Sequence, residues 1–330
     1  MQASEWPYYS SNYSSIVSCS RYGYIATAYS NILTIYKNTT KGLIPISASI
    51  TFQWNIQCLS WCTASNSESS LPLTLFIGFD HGNGSIFDIP TFSIICTINV
   101  SKSAIISSAW SNISPNHLFL GCENGDLVSI TLVKSAENKT ELSVIISWVI
   151  QTGFPINQLS INYSDCNTLI SASHSGRFIL YENIYEENPT KLFSGTFEHN
   201  DQENHCNLVK CGFHPYANDI FYIVTDKHIY YGFVKEKSTI TLFPSSPFSH
   251  IVGIFFPISD HNSLVVIQKS SSFLLHYSDG QRWKRIQEVP HFNSCCLSME
   301  NTEFDKDSLM DVRLGGIEGK LHRNGRFIPK

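Results

Sequence analysis

The sequence predicts an all-β fold made of repeated four-stranded antiparallel units, and three observations support this prediction. A two-strand hairpin pattern recurs roughly every 48 residues along the chain. Within each copy, apolar and polar residues alternate with a period of two. The copies are also rich in Ile, Val, Tyr, Phe and Thr, which are the residues typical of strands. Apolar residues make up 42% of the 330 residues, which excludes an intrinsically disordered chain.

The hairpins are the clearest part of the repeat. Each combines an apolar run, a tight turn and a second alternating strand, and Gly or Asn suits a turn that requires a positive φ. The best copies are Tyr24–Lys37, Leu75–Asp88, Leu118–Thr131 and Leu169–Glu182, with turns at Asn31, Gly82, Gly125 and Gly176. Weaker copies are Ile220–Phe233, Leu264–Tyr277 and Val312–Arg323, with turns at Lys227, Ser271 and Gly319. We expect all of these turns to lie on one rim.

Further strands flank the hairpins. A short strand that ends on an aromatic residue precedes most of them, at Trp61, Trp110, Tyr163, Phe213 and either Phe255 or Phe256. Another strand follows, at Ser93–Ile98, Leu142–Ile150, Lys191–Phe197, Thr239–Phe243 and Arg282–Val289. The sequence therefore predicts four strands in each unit and about seven units in the chain. One such unit cannot bury both of its faces alone, whereas units stacked radially around an axis can.

The order of these features resembles the WD40-repeat β-propeller family across nearly the whole chain. The likeness is best at 75–88, 118–131 and 169–182, although Phe87-Asp88 and Tyr181-Glu182 replace the Trp-Asp pair of the family. Strand-end Trp61 and Trp110 are also similar to those in propellers of large trafficking and scaffold proteins. The resemblance implies one domain over 1–330, a WD40-like propeller of seven blades, with six blades or an incompletely closed ring as alternatives.

Ring closure is a further implication of the resemblance. In this family an N-terminal strand commonly completes the last blade, and residues 1–14 precede the first predicted strand. We expect them to supply that closing strand. The alternative is a frayed N-terminus over an incomplete last blade.

Charge, apolar run length and cysteine placement limit the class of protein. The net charge of -5 and pI near 6.2 argue against a generally basic nucleic-acid binder. No apolar run approaches the roughly 20 residues of a membrane span, and Met1–Ser20 has no secretory-signal pattern. The ten cysteines lie mostly within strand patterns, which indicates reduced core thiols and a cytoplasmic protein. The nucleus is the alternative location.

The sequence contains no familiar catalytic motif. There is no G-x-S-x-G elbow, P-loop or G-x-G-x-x-G segment, so we expect a non-catalytic protein without a cofactor. The alternative is a propeller enzyme that uses Asp80, His81 and His174 in a central funnel. A nucleic-acid-associated subunit is a further alternative, because Arg282–Arg285 mixes cations with Trp, but an exposed outer strand accounts better for that cluster.

One segment has the composition of a metal site. His205, Cys206, Cys211 and His214 are ligands of the type that zinc prefers. However, Cys211 alternates with Val209 and Phe213 on one strand, which places its thiol in the core. We expect no metal site.

The predicted binding site is the rim of hairpin turns and inter-unit loops. Its candidate residues are Phe52, Trp54, His81, Asn124, Phe154, His174 and Phe248. The loop aromatics are either anchors for a partner or packing residues for their own loops. Rim charges are mixed, at Asp80, Glu123, Asp126, Arg177, Lys227, Lys269 and Glu318. We therefore expect a protein or peptide partner with apolar anchors and no small-molecule substrate.

Overall fold

The structure is a computed structural model, and its described residues consist of strands, turns and loops without helix. It describes residues 16–19, 23–39, 42–62, 73–111, 113–134, 142–162, 165–197, 208–214, 217, 219–241, 251–255, 263–268, 272–278, 282–289, 309–314, 317–322 and 327–329. The prediction of an all-β chain is confirmed for these residues.

The first three sheets use strands that follow one another in the chain. Sheet 1 contains β1 (Ile16–Cys19), β2 (Tyr24–Tyr29), β3 (Ile32–Thr39), β4 (Gly42–Pro45) and β5 (Ile50–Thr51), which pairs with β3. Sheet 2 contains β6 (Ile56–Trp61), β7 (Thr74–Phe79), β8 (Asn83–Asp88) and β9 (Ser93–Asn99). Sheet 3 contains β10 (Ile105–Trp110), β11 (His117–Cys122), β12 (Asp126–Lys134) and β13 (Leu142–Gln151).

The remaining sheets repeat this order. Sheet 4 contains β14 (Gln158–Ile161), β15 (Thr168–Ala172), β16 (Arg177–Glu182) and β17 (Thr190–Thr196). Sheet 5 contains β18 (Leu208–Phe213), β19 (Ile220–Thr225), β20 (Ile229–Phe233) and β21 (Ser238–Thr241). Sheet 6 contains β22 (Ile251–Phe255), β23 (Ser263–Gln268), β24 (Ser272–Ser278) and β25 (Arg282–Val289). Sheet 7 contains β26 (Leu309–Leu314), β27 (Ile317–His322) and β28 (Phe327–Pro329).

Every sheet is an antiparallel meander, as the repeat predicts. Five sheets have four described strands each, and the turns at Asn31, Gly82, Gly125, Gly176 and Lys227 all lie between the second and third strands of their sheets. Ser271 and the candidate closing strand at 1–14 lie outside the described residues, so these two predictions remain open. Sheet 7 has three described strands.

The turn predicted at Gly319 is wrong. Gly319 lies inside β27 and pairs with Val312 of β26, and the link between these strands is residues 315 and 316. That link is Gly-Gly in the sequence, a pair that suits a two-residue hairpin turn better than Glu318-Gly319 does. Glu318 is consequently a strand residue rather than a rim charge.

Sheets 1 to 6 stack face to face in chain order. The first strands β1, β6, β10, β14, β18 and β22 lie side by side, each against the next. Each apolar core lies between two consecutive sheets: Leu118, Leu120 and Val128 pack toward sheet 2, whereas Phe119 and Leu127 of the same strands pack toward sheet 4. This radial stacking of antiparallel sheets is a β-propeller-like arrangement.

Aromatic side chains end several first strands, as predicted. Trp61, Trp110 and Phe213 are buried, and each lies opposite the second residue of the next strand. In sheet 4 this position belongs to Ile161, which pairs with Leu169, so the prediction of Tyr163 is wrong. Tyr163 itself lies outside the described residues.

Substitution of Trp110 tests how much the core between sheets 2 and 3 contributes to stability. Its indole Nε1 donates a hydrogen bond of 3.1 Å to the carbonyl oxygen of Ser60 in the neighbouring sheet. We expect Trp110→Ala to lower the free energy of unfolding by about 3–5 kcal/mol, because a cavity adds to the lost transfer energy. Chemical denaturation measures this change. Ile113→Ala is the control, since Ile113 is 56% exposed, and an equal loss in both variants would contradict the assignment.

Alanine substitutions at two turn glycines distinguish the cost of backbone strain from the cost of a steric collision. Gly82 and Gly153 have φ values of 73° and 79°. A Cβ on Gly82 would lie 2.0 Å from the carbonyl oxygen of Ser101, whereas a Cβ on Gly153 would meet nothing within 4 Å. We expect Gly153→Ala to cost about 1–2 kcal/mol of strain alone. Gly82→Ala should cost more, because the Ser101 backbone must also move.

Denaturant titration of the two glycine variants provides the comparison. A Gly82→Ala loss equal to or below that of Gly153→Ala would show that turn 80–82 does not pack against Ser101.

Candidate functional site

The hairpin turns of sheets 1 to 5 lie on one rim together with the links between sheets. Backbone hydrogen bonds join each turn to a neighbouring link: Ile56 to Ser30, Val100 to Gly82, Thr152 to Gly125, Phe197 to Gly176 and Ile251 to Asp226. In each bond a backbone N–H donates to a turn carbonyl over 2.7–3.3 Å; the donor follows the outer strand at Val100, Thr152 and Phe197, and begins the first strand of the next sheet at Ile56 and Ile251. The prediction of a shared rim is therefore confirmed for these five turns.

Side chains tie the first two turns together. Asn55 precedes β6, accepts a hydrogen bond of 2.7 Å from Ser30 Oγ and donates one of 3.0 Å to Asp80 Oδ2. His81 Nδ1 lies 3.2 Å from Asp80 Oδ1, and its side chain is 66% exposed. Asp80 is thus held in place by Asn55, while His81 faces solvent.

A second polar group surrounds Asp126 in the turn of sheet 3. Ser101 Oγ and Asn124 Nδ2 donate to Asp126 Oδ2 over 3.1 and 2.6 Å, and Gln151 Nε2 donates to Asp126 Oδ1. The backbone N–H of Asn124 also donates to Ser103 Oγ over 3.1 Å. Asn124 is exposed, so its position on the rim is set by both its side chain and its backbone.

His174 occupies the turn of sheet 4. Its backbone N–H donates to Asn157 Oδ1 over 2.9 Å, and its ring Nδ1 accepts a hydrogen bond of 3.1 Å from the backbone N–H of Leu208. Partial burial lowers the pKa of His174, which favours the neutral ring that this acceptor role requires. The imidazole therefore links the turn of sheet 4 to the first strand of sheet 5.

Sequence reasoning missed Asn55 and Asn157. Each directly precedes the first strand of its sheet. Asn55 hydrogen-bonds to the turns of sheets 1 and 2, and Asn157 hydrogen-bonds to the turn of sheet 4. In the family that the sequence resembles, a Gly-His pair usually stands before that strand. The repeated Asn before β6 and β14 was the available signal.

The predicted aromatics have different surroundings. Phe52 and Trp54 are half-buried, and both rings pack on Phe79, with centroids 5.2 and 5.9 Å away. Phe154 is 7% exposed and belongs to the core between sheets 3 and 4, which fits the packing alternative rather than the anchor. Phe248 lies outside the described residues.

The residues of the enzyme alternative occupy two separate hairpins. Asp80 and His81 lie in the turn of sheet 2, and His174 lies in that of sheet 4, with sheet 3 between them. Asp80 and His174 already bind neighbouring links, as described above. The structure therefore does not bring these residues together as one acid–base group.

Six cysteines whose side chains the structure describes are free thiols, at 58, 62, 96, 122, 166 and 211. Burial raises the pKa of Cys211 to about 12, which disfavours the thiolate that zinc binds. Among the described residues, no group of three potential ligands is close enough to hold a metal ion. His205 and Cys206 lie outside that part of the chain.

The charged residues of the described rim are mixed in sign. Acidic side chains come from Asp80, Glu123, Asp126 and Asp226, and cationic ones from Lys102, Arg177 and Lys227. The basic cluster Arg282–Arg285 lies on β25, the outer strand of sheet 6, away from this rim. Lys269 lies outside the described residues.

Comparisons with known proteins support the fold but assign the chain to no family. No family model matches the chain, and no curated protein matches it. A chain of the crystal structure of the mitotic checkpoint complex matches with a TM-score of 0.63 and 10% identity, over 95% of this chain and 85% of that chain. In all, 1615 chains of solved structures match, so the likeness describes a widespread architecture and selects no function. No helix in the described segments is long and apolar enough to cross a membrane.

His174 makes stability depend on pH. Burial holds its folded pKa below the usual histidine value of 6.5, so the unfolded state binds a proton first as the pH falls. Its contribution is therefore present above pH 6.5 and is lost as the pH falls through the folded pKa. We expect His174→Asn, which keeps a hydrogen-bond acceptor, to show a smaller loss of stability between pH 7 and 5. Denaturation midpoints across this range that fall equally in both proteins would contradict this role.

Proposed function

We propose that the chain is a non-catalytic, WD40-like β-propeller that serves as a protein-interaction platform within a multiprotein assembly. In this proposal residues 1–330 form one domain of seven blades, and residues 1–14 close the ring. Seven described sheets and first strands that lie side by side from β1 to β22 support it.

The single observation that carries the functional proposal is the hydrogen-bonded rim. Turns and links are fixed to each other by backbone bonds, so they present side chains from a rigid scaffold. Loops on such scaffolds are the usual carriers of binding function. His81, Asn124 and His174 are exposed on three successive sheets, and Trp54 lies half-buried in the link that precedes them.

The surface chemistry favours a protein or peptide partner. The mixed rim charges do not suit a polyphosphate or a strongly acidic ligand, and the acidic net charge disfavours nucleic acid. Trp54, half-buried against Phe79 and flanked in the sequence by Gln53 and Asn55, offers an apolar contact on a polar rim, the composition typical of protein interfaces. The structural likeness to a chain of the mitotic checkpoint complex, a multiprotein assembly, agrees with this role.

The thiols support a cytoplasmic location. The six cysteines with described side chains are free, and all of them but Cys166 are buried. Free core thiols are typical of proteins in reducing compartments. The nucleus, which is also reducing, is the alternative.

A rim variant tests the proposed function. Trp54→Ala, His81→Ala and His174→Ala combined remove side chains from one link and two turns. We expect partner recovery in affinity purification from the native cells to fall about tenfold or more, because anchors near the centre of an interface carry most of its energy. Quantitative mass spectrometry measures recovery, and circular dichroism verifies the fold.

The matched control is Ile113→Ala with Val133→Ala, two exposed apolar residues away from the rim. This variant should recover partners as the wild type does. Wild-type recovery by the rim variant, or loss in the control, would contradict binding at the rim.

A further inference from the structure

The outer strands of four sheets share a bulge at the same register. In β9, β13, β17 and β25 the pairing skips one residue, at Ile95, Ser147, Leu192 and Ile286. The residue just before each skipped one occupies an equivalent edge position. These residues are Ile94, Ile146, Lys191 and Arg285.

The equivalent positions divide into two chemical classes. Sheets 4 and 6 have Lys191, which is exposed, and Arg285. Cations at sheet edges are a common protection against pairing with another chain. Sheets 2 and 3 instead have Ile94 and Ile146, each 46% exposed. Among these four edges, the cation is therefore missing from the two adjacent ones, in sheets 2 and 3.

Those two edges lie side by side and carry exposed apolar side chains. Strands β9 and β13 lie next to each other, and neither contains Asp, Glu, Lys, Arg or His. Ile145 and Val149 of β13 are also about half exposed. We call Ile94, Ile145, Ile146 and Val149 the outer apolar edge. A soluble surface rarely leaves such an edge uncovered.

We propose that a second copy of this chain covers the outer apolar edge, with the two β13 strands antiparallel across a twofold axis. A twofold axis places identical surfaces against each other, so an edge suits this arrangement only if it does not repel itself. The uncharged β13 meets that condition. The β25 edge, with Arg282, Lys284 and Arg285, would place cations against cations.

The length of β13 fits the size of a stable interface. It has ten residues and so extends roughly 33 Å. A standard interface buries about 800 Å² on each partner, a patch about 30 Å across. Antiparallel pairing also fills the unpaired backbone groups of both edges, as strand addition does in other complexes.

The arrangement has a consequence for the rim. Residue Gln151 ends β13 beside the turn of sheet 3, where it binds Asp126. Because the two β13 strands run in opposite directions, the two rims of the dimer face opposite ways. Such a dimer would bridge two partners rather than grip one. The proposal rests on the edge alone and does not depend on the rim function.

Sedimentation equilibrium tests the dimer. From about 1 to 100 μM, the average mass of the wild type should rise from that of one chain, 37.2 kDa, toward twice that value. Ile146→Lys with Val149→Lys should weaken dimerisation about a hundredfold or more, because the cations added to one β13 strand would lie near those added to the other across the twofold axis. Lys191 already occupies the Ile146 position in sheet 4, so the fold accepts lysine there.

Two controls isolate the edge. Ile113→Lys adds a cation at another exposed apolar residue, and the rim variant Trp54→Ala with His81→Ala and His174→Ala leaves the edge intact. Both should dimerise as the wild type does. The proposal is overturned by a monomeric wild type, which would leave the edge to a different protein, by an unchanged dimer in the double-lysine variant, or by loss of the dimer in Ile113→Lys.

Discussion

Burial of both faces of each sheet is the constraint on which the rest of the structure depends. A strand such as β11 alternates apolar side chains toward sheet 2, at Leu118 and Leu120, with Phe119 toward sheet 4. Neither set is removed from water unless both neighbouring sheets are present. The core therefore belongs to pairs of sheets, and Trp110 shows this directly, since its indole bonds a carbonyl of the preceding sheet.

The stacking also determines where the candidate site lies. Side-by-side first strands bring each turn beside the link that enters the next sheet, so that Val100 bonds Gly82 and Thr152 bonds Gly125. The polar side chains of the rim are shared in the same way, and His174 bonds the backbone of Leu208 in sheet 5. Rim geometry and core packing consequently depend on one another, whereas the outer strands are exposed to partners.

Strand periodicity was predictable from the sequence, but side-chain placement outside strands was not. Hairpins and outer strands follow the period of two, and β13 and β17 begin and end within one residue of their predicted bounds. For Phe154 the sequence left an anchor and a packing role open, and only the tertiary structure, which places it in the core between sheets 3 and 4, decides for packing. Tyr163 was predicted because it is aromatic. The paired residues Trp110 and Leu118, Phe213 and Phe221, and Ile161 and Leu169 all have the same separation in the sequence, and this separation identifies Ile161 as the equivalent residue. The rim asparagines require tertiary contacts to recognise, because Asn is common in any loop.

Hydrogen exchange with mass spectrometry on Trp110→Ala tests the shared core most directly. Trp110 lies in sheet 3, but its side chain packs against sheet 2. We expect faster amide exchange in β7 and β8 as well as in β11 and β12, with β19 and β20 of the distant sheet 5 unchanged. Faster exchange confined to sheet 3 would contradict a core held between neighbouring sheets.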